Sequence, residues 1–70
     1  MRDITAQDIG KQVKTSTGLT GLIVGHYADQ YHYLPVSVQF GKEFVHFCLD
    51  GAPNDSAFVQ RTYGHITEVF

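Results

Sequence analysis

Four histidines and a single cysteine carry most of the reactive side-chain chemistry in this 70-residue chain. His46 and Cys48 stand two apart in EFVHFCL, and on an extended strand such residues emerge on the same face. With His26 as a third ligand and His65 as a fourth they form a candidate zinc set, because imidazole and thiolate are the donors zinc takes. Structural zinc motifs, however, supply paired Cys or His at tight loop spacing, and no such pair occurs here. The simpler reading is a small cysteine acting as a core hydrophobe beside a histidine at a rim. The same residues can be drawn as a Cys–His hydrolase, but no nucleophile elbow or helix start is patterned behind the thiol. The carboxylates Asp3, Asp8, Asp29, Glu43, Asp50, Asp55 and Glu68 show no acid–base pairing either. Catalysis is not expected, and nothing in the pattern asks for a cofactor.

Aromatic residues offer a different chemistry. Tyr27, Tyr31, His32 and Tyr33 flank or fill the irregular stretch ADQYHYL. Tyrosine gives a large, rigid contact area with a polar tip, as binding surfaces use, and its ring can also stack on a base. These four residues are the candidate partner-binding edge; the bland alternative is that Tyr27 and Tyr33 cap one end of the fold. The loop DGAPNDS carries Asp50, Asn54 and Asp55, but it lacks the alternating ligands and distal Glu of a calcium loop, so a polar turn is the better reading.

The elements that must hold these residues are short. Thr5 with Asp8 three positions later fits a capping box, and no long amphipathic pattern follows, so one helical turn is expected, as a plug over one end. Gln12–Ser16 reads as a strand, Ser16-Thr17-Gly18 as its turn, and Thr20–Tyr27 as the returning strand. Strict alternation along that second strand puts Leu22, Val24 and His26 on one face, with Ile23 and Tyr27 on the other. Gly21 and Gly25 inside it signal a bulge or sharp bend. Val36–Phe40 alternates cleanly, with Val36, Val38 and Phe40 inward and Ser37 and Gln39 outward. Gly41-Lys42 suits a two-residue type II′ turn leading into a fourth strand, Glu43–Leu49. Ala57–Tyr63 fits a short strand or a helical turn, with Phe58 and Val59 at least partly buried. His65–Phe70 closes the chain as a fifth strand, docked by Ile66 and by Val69 or Phe70. Short strands at this spacing predict a small barrel rather than a sandwich, because closure protects strand edges.

The words IGKQVKTSTGLTGLIVGHY and PVSVQFGKEFVHFCLDG resemble the small SH3-like β-barrels of bacterial and bacteriophage proteins, over about residues 9–51. The resemblance implies an all-β SH3-like barrel; five strands at this spacing in 70 residues make it a single domain over residues 1–70. It implies a non-enzymatic binding module, including a phage-encoded adaptor or inhibitor of a host protein. Nucleic-acid-binding barrels with this strand pattern tend to be basic.

Composition separates these functions further. The chain is 43% apolar and 17% charged, the balance of a globular domain. With one cysteine it has no internal disulfide, and a domain of this size buries only about 60% of its unfolded surface. The net charge of −2 disfavours a protein that grips phosphates, since such binding scales with Lys and Arg contacts. A nucleotide or single-stranded nucleic-acid binder is the alternative, with phosphate contacts from Lys11, Lys14, Lys42 and Arg61. It requires those four cations to converge beside the tyrosines. A homo-oligomer joined through an open strand edge, such as the last strand, is a third reading. The opening MRDITAQD has neither a basic nor an apolar leader region, and the longest apolar run is too short to span a bilayer; a cytoplasmic protein is expected. If His26 and His46 are buried neutral, stability should fall below about pH 6.

Overall fold

The computed structural model describes residues 1–30, 33–54 and 56–70. It is predominantly β: five antiparallel strands, β1 (Gln12–Thr15), β2 (Thr20–His26), β3 (Val36–Phe40), β4 (Glu43–Phe47) and β5 (Ile66–Val69), with a 3₁₀ turn at Ala6–Asp8 and one helix, α1 (Ala57–Thr62). The strands form a single sheet in the order β4-β3-β2-β1-β5.

Turn chemistry sets the register. Gly18 (φ 90°) closes β1 onto β2, and Gly41 (φ 62°) opens the two-residue turn that pairs Phe40 with Glu43. Both positions need the left-handed backbone that glycine adopts without a Cβ penalty. Alternation then places Val13, Ile23, Val36, Val38, Phe40, Val45, Phe47 and Ile66 in one core, with Ile4 and Tyr63 closing it. Phe40 is central to that packing, its ring 4.5 Å from Tyr63 and 6.2 Å from Phe47 between centroids. Burying aromatic rings in tilted contact adds to the area term that dominates a core of this size.

Three sequence expectations are corrected. Along β2 the pairing slips between Ile23 and Gly25, so Val24 is an extra residue and the alternation changes phase there. Ile23 and His26 therefore both face strand partners of the core, Val38 and Val36, and His26 does not share the face of Leu22. Of the two readings open for the segment after the acidic loop, short strand or helical turn, the helix forms: Ser56 caps α1 by accepting the Val59 N–H, and Gly64 (φ 67°) ends it. On this short helix Phe58 is 62% exposed and only Val59 packs inward. The fourth strand stops at Phe47, where an isolated bridge to Pro53 takes over, and Cys48 N–H turns to the Ala52 carbonyl. At the other end of the chain Val69 docks on the core while Phe70 stays exposed.

The expected capping box forms, in a form the sequence only half suggests. Asp8 accepts the Thr5 N–H at 2.9 Å, and Arg2 reaches the same carboxylate through both guanidinium nitrogens at 2.7 and 2.8 Å. Lys11 Nζ adds a contact at 3.1 Å. The Arg2 fork, then the Thr5 N–H, hold the Asp8 carboxyl far below the usual carboxylate range, against the opposing effect of burial. The same pairing raises the Arg2 guanidinium. This cluster anchors the N-terminal segment, whose Ile4 is buried, donates to Leu49 O at 2.9 Å, and through its own carbonyl meets His26 Nε2 at 3.1 Å.

Candidate functional site

The β2–β3 connection and the outer face of β4 enclose a cleft of about 640 Å³, lined by Tyr27, Gln30, Tyr33, Leu34 and His46. Its floor follows from the sheet register. His46 pairs with Ser37, and Ser37 pairs with Gly25, so the three share one row on the face away from the core. Gly25 leaves a vacancy in that row, which the Tyr27 ring occupies: a Cβ at position 25 would lie 2.5 Å from the Tyr27 hydroxyl oxygen and 2.6 Å from Cε2. Ser37 in the same row is buried, although by alternation it lies on the outward side of the strand. The glycine thus leaves room beside the bulge of β2 for the Tyr27 ring to approach the strand closely.

A turn sets the far wall. Gln30 N–H donates to Tyr27 O, and Tyr27 N–H donates to Pro35 O at 2.8 Å, which ties both ends of the connection together. Leu34 sits in the left-handed region at φ 58°, a conformation that bulky residues seldom adopt and that clusters at binding sites. Tyr33 is exposed at the mouth. The result is an aromatic and aliphatic hollow with a hydroxyl-bearing rim, an amide from Gln30 and an imidazole from His46.

Of the predicted edge, Tyr27 and Tyr33 belong to the cleft, and Tyr31 and His32 lie outside the described residues. Gln30, Leu34 and His46 join them without a signal in the sequence; His46 arrives through the cross-strand register with Ser37 and Gly25, the other two through the path of the connection. The proposed zinc ligands do not assemble: among the described residues no three His, Cys, Asp or Glu side chains group as a metal site. His46 is exposed in the cleft, Cys48 is half-buried beside a second hollow, His65 is exposed, and His26 is half-buried against Ile4 O. The premise of two buried histidines, on which a loss of stability below pH 6 would rest, is absent from this arrangement.

The four cations considered for phosphate contact sit on four separate pieces of the fold. Lys11 pairs with Asp8, Lys14 lies opposite Glu68 on β1, Lys42 is in the β3–β4 turn, and Arg61 is in the last turn of α1. None lines the cleft. Among the described residues, no helix is long and apolar enough to cross a membrane. Comparisons of the chain with protein-family models, with curated proteins and with solved structures found no match.

Proposed function

We propose that this chain is a small SH3-like barrel that acts by recognition, docking a protein partner in the cleft of Tyr27, Tyr33, Leu34 and His46. The observation that carries the reading is the cleft itself: a hollow lined by two tyrosines and a leucine, with an amide and an imidazole beside them, is what a recognition pocket offers. Its construction on a strand glycine and a left-handed leucine ties the hollow to the backbone. The barrel reading is supported by the strand order, by a core on one face of the sheet, and by near-equal dimensions of 28 × 24 × 24 Å. A flat sheet of five strands would be far thinner in one direction, which favours strands that curl around the core. The work is binding rather than catalysis, and an adaptor or inhibitor of another protein fits a module of this size.

The nucleotide or single-stranded nucleic-acid reading is weaker, because the tyrosines and the cations occupy different places. The discriminating experiment is a pull-down of the tagged protein from bacterial lysate, with and without nuclease, read by mass spectrometry. A defined protein that survives nuclease and is lost from both Tyr27→Ala and Tyr33→Ala supports the proposal. A nuclease-sensitive catch, or co-purifying nucleotide without protein, refutes it.

A further inference from the structure

A second, separate hollow lies next to the aromatic cleft in chain order. Two residues further along the chain, past the end of β4 at Phe47, Cys48 lines a second hollow of about 320 Å³ with Asp3, Pro35, Leu49, Asp50 and Ala52. Leu34 of the first hollow adjoins Pro35 of the second, and His46 leads to Cys48, so the two hollows follow each other along a common pair of chain segments. The first is aromatic. The second is flanked by two exposed carboxylates, Asp3 and Asp50, and Asp29 stands exposed in the turn beside Gln30. Among the described residues none of these three carboxylates is in an ion pair, whereas Arg2 and Lys11 are both engaged by Asp8. Arg2 does lie close, donating to the Asp3 carbonyl, but its fork is directed at Asp8.

Resting on the reading of the cleft as the binding site, we infer that the partner contributes an extended, cationic segment. One apolar side chain enters the Tyr27–Tyr33–Leu34 hollow, and an Arg or Lys two to four residues away lies at Asp3 and Asp50. The charge pattern selects this occupant. A phosphate backbone or an acidic peptide would bring like charge to the carboxylate end, which costs affinity and slows encounter. A neutral segment would gain nothing from the two exposed carboxylates. Arginine suits the position best, because its planar fork meets carboxylates with two parallel bonds.

The test is a titration of the full chain, followed by amide NMR shifts. The probe is a capped eight-residue peptide bearing one leucine followed, three residues on, by two arginines. Controls replace the arginines by glutamates, or the leucine by serine. The inference expects shifts at Gln30, Leu34, His46 and Asp50, and at least about tenfold weaker binding of the glutamate peptide, equal to 1.4 kcal/mol. It also expects that Asp3→Asn with Asp50→Asn removes the preference for arginine while the melting temperature holds; the amide oxygen introduced at position 50 can still accept the Ala52 N–H that Asp50 accepts. Equal binding of arginine and glutamate peptides, shifts confined to another face, or an unchanged preference in the double variant each overturn it. In the pull-down, a protein lost from Tyr33→Ala but kept by the double variant leaves the cleft reading standing and removes only the cationic-segment inference. A protein kept by Tyr33→Ala removes the cleft reading itself.

Discussion

Replacing Asp8 by Asn tests how the N-terminal segment is held on the sheet. The Asp8 side chain is buried and receives Arg2 twice, Lys11 and the Thr5 N–H on two oxygens. An amide offers one acceptor oxygen and turns an NH₂ toward two cations. The Arg2 and Lys11 side chains are 57% and 44% exposed, so solvent screens both pairs and each is discounted toward the small value of a surface pair. What remains is the loss of a charge-assisted bond to a backbone N–H at a buried position, for which about 1–2 kcal/mol is a fair expectation. For a domain this small that is a fall in melting temperature of about 5–15 °C, read by circular dichroism at pH 7. The pH dependence supplies a second check. The folded Asp8 carboxyl is held below its unfolded value, so its contribution is complete above the unfolded pKa of about 3.9 and shrinks as pH falls below it, by at most about 1.4 kcal/mol per pH unit. The gap between the wild-type chain and Asp8→Asn should narrow from pH 5 to pH 2.5. An Asn variant melting within about 2 °C of wild type at pH 7, or a gap independent of pH, would show that this cluster does not hold the segment.

Three further outcomes follow from the packing. Gly25→Ala brings a Cβ onto the Tyr27 ring; it should cost about 1–3 kcal/mol as overpacking and displace the tyrosine, so partner capture falls by more than stability does, which chemical denaturation beside the pull-down separates. Phe47→Ala empties a fully buried position and should cost about 3–5 kcal/mol, leaving the domain largely unfolded at 37 °C by amide dispersion, while Phe58→Ala on the exposed side of α1 should stay within about 0.5 kcal/mol. Ser56→Ala removes the side-chain acceptor at the start of α1 and should cost up to about 1 kcal/mol, seen as faster amide exchange at Val59.

Elements were readable from the chain where local rules sufficed. The third strand could be read residue by residue, because VSVQF alternates without interruption and Gly41-Lys42 fixes the turn that follows. The second could not, since the pattern LIVGH alternates equally well in two phases, and only the pairing with Val38 and Val36 shows that Val24 is the bulged residue. The helix Ala57–Thr62 is too short to carry a helical period, and its identity rests on caps at Ser56 and Gly64 that the loop composition obscured. At the candidate site Tyr27 and Tyr33 stood out by aromatic density. His46 did not, because it reaches the cleft by way of Ser37 and Gly25, two strands of register away from Tyr27. Asp8 was readable as a cap but not as the centre of an ion cluster, since the partner six residues upstream belongs to no local motif.

The sharpest test of the binding reading is site-specific photo-crosslinking in cells, with a benzophenone amino acid replacing Tyr33 in one version of the chain and Phe58 in another. Both positions are exposed, one at the mouth of the cleft and the other on α1. The expected result is an adduct with one defined protein from position 33, suppressed by Leu34→Asp, and none of that protein from position 58. The same adduct from both positions, or from position 58 alone, would overturn the assignment of the cleft as the binding site.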